Sequence, residues 1–139
     1  MDKKQLAIKI IEYASALLGL SGLEVVFKTE DAFPNKSVNA LFLQDYYGIV
    51  FNETWIVSAS LEEVVITALH ETRHAYQKAN IDFPFLFIDC ETRDTIEQWK
   101  KDFEDYKVPK SHEDNDYHKQ SIEIGYTVNI GYIKCIIAI

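Results

Sequence analysis

Ser60-Leu61-Glu62-Glu63-Val64-Val65-Ile66-Thr67-Ala68-Leu69-His70-Glu71-Thr72-Arg73-His74-Ala75-Tyr76-Gln77-Lys78 is the stretch on which the fold turns. Ser60 is a good N-cap, and Glu63, three residues later, completes a capping box. From there to about Lys78 the pattern is helical. Leu61, Val64, Val65, Ala68, Leu69, Ala75 and Tyr76 supply one broad apolar stripe. No other part of the chain carries so strong a helical signal.

Outward from this helix the elements are shorter. Residues 3–19 predict an amphipathic helix, because Leu6, Ile10, Tyr13, Ala14 and Leu17 recur at helical spacing; Gly19 and Gly22 punctuate its end. Three strands follow. Residues 23–29 hold Val25, Val26 and Phe27; residues 38–44 and 48–57 are also extended and apolar. Asp45-Tyr46-Tyr47-Gly48 makes a hairpin connection between the last two. The expectation is a short antiparallel sheet packed on the N-terminal helix and on the helix of residues 60–78. Asp82-Phe83-Pro84-Phe85 breaks the second helix. Residues 91–106 predict another, with Ile96, Trp99, Phe103 and Tyr106 as its core stripe. A polar linker over 108–115 leads to a final helix over 116–139. This order gives an α+β fold: a sheet, the N-terminal helix and the 60–78 helix, then two further helices. At 139 residues the chain reads as a single domain, 1–139, able to bury a core without disulfide staples.

Composition limits the partners. The hydrophobic fraction is 47% and the charged fraction 26%, ordinary values for a folded domain. A net charge of −8 excludes a phosphate backbone as partner, since nucleic-acid binding needs clustered Lys and Arg. Lys9 and Glu12 interrupt the apolar run that a secretory leader would need. Residues 128–139 are very apolar, yet shorter than the roughly 20 residues a membrane span takes, and read as a buried terminal element. Cys90 and Cys135 form no CxxC pair and read as reduced, buried thiols. Together these features give the expectation of a cytoplasmic protein with neither a nucleic-acid nor a membrane partner.

The chemistry lies in His70-Glu71-Thr72-Arg73-His74, an HExxH sequence inside the 60–78 helix. Positions i and i+4 of a helix share one face, so both imidazoles can reach one metal ion. Glu71 stands beside that face, where it can accept the proton of a metal-bound water. A catalytic zinc usually takes three protein ligands and leaves one position for water. The third must come from elsewhere. His112, Glu113, Asp114, Asp116, His118 and Glu123 have suitable side chains. Glu123 is favoured, because between Ile122 and Ile124 an inward carboxylate is costly unless paired or metal-bound. Two imidazoles and one carboxylate in an open site point to Zn2+. Arg73 could clamp a carboxylate of the final helix or of a substrate terminus, or pair locally at the surface; Gln77 also lies near the motif.

The run Ala68-Leu69-His70-Glu71-Thr72-Arg73-His74-Ala75-Tyr76-Gln77 resembles the active helix of small gluzincin-type metallopeptidase domains (minigluzincins), compact bacterial or mobile-element proteins loosely related to the ImmA/IrrE-like group. Trp99-Lys100-Lys101-Asp102-Phe103 and Gln120-Ser121-Ile122-Glu123-Ile124 look similar to two further elements of such proteins. The likeness spans roughly residues 60–126. It implies a zincin-like domain whose second helix supplies a glutamate ligand, which maps onto Glu123. This chain departs from the pattern at Gly125-Tyr126, where an acidic residue would orient a ligand histidine. Loss of such a partner typically costs 10–100-fold in affinity or activity.

The expectation is therefore a zinc-dependent hydrolase of the peptidase kind. In it a zinc-bound water, activated by Glu71, attacks a carbonyl of a peptide or protein substrate. A strand within 49–57 would border the cleft and pair with the extended substrate. Tyr117, Tyr126, His118 or Arg73 could donate to the transition-state oxygen. The alternative is a catalytically degenerate zincin-like binding or regulatory module that keeps the metal without turnover.

Overall fold

The computed structural model of the chain describes residues 2–34, 36–88 and 90–105. In chain order the elements are α1 (Lys3–Leu18), β1 (Glu24–Lys28), a 3-10 turn at Glu30–Ala32, β2 (Ala40–Leu43), β3 (Gly48–Asn52), α2 (Glu53–Ser58), α3 (Leu61–Asp82) and α4 (Arg93–Asp105). The fold is α+β, with four α-helices and one three-stranded sheet among the described residues.

α3 starts where its sequence says it should. The Ser60 hydroxyl accepts the Glu63 N–H at 3.1 Å, satisfying one of the unpaired amides at the helix start. The helix runs about a turn past Lys78. Lys78 and Asp82 pair along that extra turn at 3.3 Å, and Phe83 leaves the helix just ahead of Pro84. α1 is capped by Asp2, whose carboxylate accepts the Gln5 N–H at 2.8 Å. Gly19 ends it in the left-handed region at φ 73°, a conformation that glycine adopts at no steric cost.

The sheet is mixed rather than antiparallel. β3 lies in the centre, antiparallel to β2 and parallel to β1. The hairpin of β2 and β3 forms as the sequence predicts, through a turn over 44–47 in which Tyr47 takes φ 51°. β1 is the exception. Its pattern of apolar and polar residues sets which face is inward but carries no strand direction. The link of residues 29–39 carries the chain past the position that β3 later fills, so β3 returns beside β1 in the parallel sense. β3 takes the centre because Ile49, Val50 and Phe51 are apolar on both faces; all five of its residues are buried.

A second correction concerns residues 53–57, which continue the chain as α2 rather than as strand. Asn52 is the cause. Its side-chain oxygen accepts the N–H groups of Thr54 and Trp55 at 3.0 and 3.3 Å, which turns the chain into a helix despite the β-branched Thr54, Ile56 and Val57. Tertiary packing and a cap override strand propensity here.

The main core joins one face of the sheet to the helices. Ala40, Phe42, Ile49 and Phe51 meet Val64, Ala68, Ala75 and Ala79 of α3, with Ala7 and Ile11 of α1 and Trp99 of α4. Fully burying Ile49 or Phe51 is each worth about 1.5–3 kcal/mol. The sheet packs directly on α3, whereas α1 packs chiefly along α3. The opposite face of the sheet, Leu41 and Val50, is covered by Phe33 and Val38 from the link. α4 lies against α3 with Trp99 buried and Phe103 at the margin of the core, as its stripe predicts. Cys90 is exposed, contrary to the expectation of a buried thiol. The expected 116–139 helix and its residues lie outside the described residues. No helix among the described residues is long and apolar enough to cross a membrane.

Candidate metal centre

His70 and His74 stand one turn apart on α3, and their rings converge. The two Nε2 atoms are 3.1 Å apart, with ring planes at 88°. Two nitrogens on one tetrahedral zinc, each at about 2.0–2.1 Å, lie about 3.3 Å from one another. The spacing therefore fits a shared cation with hardly any movement. The donor chemistry fits as well, because imidazole is a good zinc ligand. Among the described residues no group of three His, Cys, Asp or Glu side chains gathers that could hold a metal. His112, His118 and Glu123, the expected third ligand with its alternatives, lie outside the described residues, as do Tyr117, Gly125 and Tyr126.

Glu71 is buried, with about 8% of its surface exposed. Loss of water pushes its carboxyl up to about 8, while a hydrogen bond from the Phe42 N–H pulls it back down. That bond places the Glu71 carboxyl against the sheet. The Asn52 N–H donates to the Asn39 carbonyl at 2.8 Å, and Ala40 pairs with Phe51 and Phe42 with Ile49. In an antiparallel ladder the bonded and non-bonded pairs alternate. Hence Ala40 and Phe42 turn their backbone groups away from β3, toward the outer edge of the sheet. Glu71 takes the amide of Phe42 there. The strand bordering the site is therefore β2, the edge strand, and not the 49–57 segment. β3 is already paired on both sides and has no free edge to offer.

Gln77 and Phe103 flank His74 among the described residues. The Gln77 Oε1 lies 2.9 Å from His74 Nδ1, and the Phe103 ring stands edge-on to the imidazole at 6.4 Å and 81°. Phe103 also meets Phe42 at 6.3 Å, and its carbonyl accepts from the Gln44 side chain at 3.3 Å. An aromatic wall from β2 and α4 thus stands beside the histidines. The sequence places Phe103 in a core stripe, but nothing in that spacing tells that the ring would reach His74. Gln77 carried a usable signal, since it follows His74 at i+3 on the same helical face.

Arg73 is not a surface residue. It is about 5% exposed, with its guanidinium 4.9 Å from the Tyr76 ring and 5.4 Å from the Trp99 ring. Glu91 lies 3.9 Å away and accepts the Tyr76 hydroxyl at 3.0 Å. Desolvation, together with Glu91, pushes the Tyr76 phenol up to about 12. This cluster ties the HExxH helix to α4 and to the turn that precedes it. Compared with known proteins, the chain matches no family model, no curated protein and no solved structure.

Proposed function

We propose that this chain is a zinc-dependent hydrolase of the peptidase kind, in which His70, His74 and Glu123 hold the metal and Glu71 is the general base. The observation that supports this best is the pair of Nε2 atoms 3.1 Å apart beside a buried carboxyl at the sheet edge.

Zinc held there would supply Lewis acidity for a substrate carbonyl and would lower the pKa of water at the site from about 15.7 to about 7. The rest is the work of the chain. His70 and His74 donate Nε2 lone pairs. Glu71 sits one residue from His70, and a cation beside it favours the carboxylate against the burial that raises it. Glu71 then accepts the proton of the attacking water at a carboxylate oxygen and returns it to the leaving amine. The outward N–H and C=O of Ala40 and the outward C=O of Phe42, whose N–H Glu71 takes, suit an extended peptide laid along the edge of β2 by strand addition. That geometry supports a peptide or a protein loop as substrate.

The test is metal per chain by mass spectrometry on protein purified without chelator, for the native sequence, Glu123→Ala and Glu71→Gln. The expected result is about one zinc in the native chain, much less in Glu123→Ala, and full loading without peptide hydrolysis in Glu71→Gln. A native chain that stays metal-free after zinc is added overturns the reading. Full biological function in Glu71→Gln would identify the degenerate binding module that the departure at Gly125 also suits.

A further inference from the structure

We propose that Gln77 is a positioning residue for His74: its Oε1 accepts the His74 Nδ1–H, holding the ring in the tautomer whose bare Nε2 faces the metal. The inference rests on the metal reading above and adds a residue to it.

Three observations carry it. First, the contact is direct, at 2.9 Å between Gln77 Oε1 and His74 Nδ1. A neutral imidazole carries one proton, and whichever nitrogen holds it, the other keeps the lone pair. An amide oxygen can only accept, so this contact places the proton on Nδ1. The Nε2 lone pair then stands 3.1 Å from His70 Nε2. Second, Gln77 is about 1% exposed, yet its Nε2 has no hydrogen-bond partner among the described residues. A buried, unsatisfied amide donor is destabilising by about 1–3 kcal/mol. A residue present only for packing would be apolar here, and one present for stability would use both ends of its amide. Gln77 uses its acceptor end, and that end meets the histidine. Third, Phe103, which stands edge-on to His74 at 6.4 Å and 81°, offers no acceptor, whereas Gln77 offers one at Nδ1.

Carboxylates and carbonyls commonly serve such a role toward metal-bound histidines. In this chain a neutral amide on the same helix provides it locally, three residues after the ligand.

The experiment has two arms. In the metal-free native chain, long-range 1H–15N correlation spectra of the neutral imidazoles report the tautomer of His74. The Nδ1–H form is expected, with a shift toward Nε2–H in Gln77→Leu. In the second arm, zinc affinity is measured by competition with a chromogenic chelator, with far-UV circular dichroism as a check on folding. Gln77→Leu is expected to fold and to bind zinc 10–100-fold more weakly, while Gln77→Glu, which keeps an acceptor oxygen, binds within about threefold of native. A native His74 in the Nε2–H form overturns the proposal without any variant. Unchanged affinity in a folded Gln77→Leu overturns it while leaving the metal reading intact. Equal losses in Gln77→Leu and Gln77→Glu also overturn it, because the acceptor oxygen would then be irrelevant. A native chain that binds no zinc overturns both readings together.

Discussion

Glu71 and Tyr47 are both held above their ordinary proton affinity by loss of water, one at the candidate site and one at the hairpin that precedes α3. Tyr47 is the cleaner probe of that effect, because it is itself neither a candidate ligand nor the candidate base. Desolvation, and then the charge of Asp82, raise its phenol from 10.0 to about 12. Its hydroxyl donates to the Ala75 carbonyl at 3.4 Å. The folded-state pKa is the higher one, so the neutral phenol is favoured by folding. Its contribution is complete below pH 10 and is lost as pH rises from about 10 to 12. The expected loss is about 1 kcal/mol after allowance for partial solvent screening. Tyr47→Phe should remove that part of the alkaline destabilisation and be close to neutral at pH 8. Urea midpoints at pH 8 and pH 11 check this. A Phe variant whose midpoint falls as far as the native one between those values would show that Tyr47 is not the group. Tyr76, raised to about 12 as well, should keep the rest of the native dependence in place.

The junction of β3 and α2 is where local chemistry overrode pattern, and it gives a prediction of its own. Asn52 is about 1% exposed. Its oxygen caps α2, and its Nδ2 donates to the Val38 carbonyl at 3.1 Å. One side chain thus starts a helix and pins the link that covers the outer face of the sheet. Asn52→Ala removes the cap and leaves a buried carbonyl without its donor. The loss should lie near the upper end of the cap range, about 2 kcal/mol, read as a lower guanidinium midpoint with zinc per chain unchanged. A midpoint within error of native would mean that α2 forms without its cap. The same junction shows how far the elements were legible. α1, α3 and α4 could be read to within a few residues, because apolar residues three and four apart and a Ser, Asp or Gly at the ends are local signals. Thr54, Ile56 and Val57 favour a strand as residue types, and only the side chain of Asn52, turned onto the following amides, decides otherwise. The direction of β1 was not legible at all, since alternation is the same read either way along the chain.

Across the whole molecule, the legible part of the site was that carried by a single helix. His70, Glu71 and His74 come together because i and i+4 share a face, and sequence spacing states this directly. Phe42 and Phe103 reach the site through strand register and helix packing, which spacing does not encode. This division matters for stability. The described site draws on α3, the edge of β2 and α4, so a ligand on the two imidazoles is coupled to the packing of all three. Zinc that binds the folded chain and not the unfolded one stabilises it by RT ln(1 + [Zn]/Kd), about 2.7 kcal/mol when free zinc is 100 times Kd. For a chain of this size that should raise the thermal midpoint by about 10 °C. The shift should vanish in His74→Ala, which removes a candidate ligand from the middle of α3 while leaving Trp99, Tyr76 and the sheet core in place. If the native midpoint does not move with zinc, the converging imidazoles are not a metal site. If the midpoint moves equally in His74→Ala, zinc binds elsewhere on a surface of net charge −8. Loss of the shift in the variant alone ties the metal to the fold through the helix that carries both histidines.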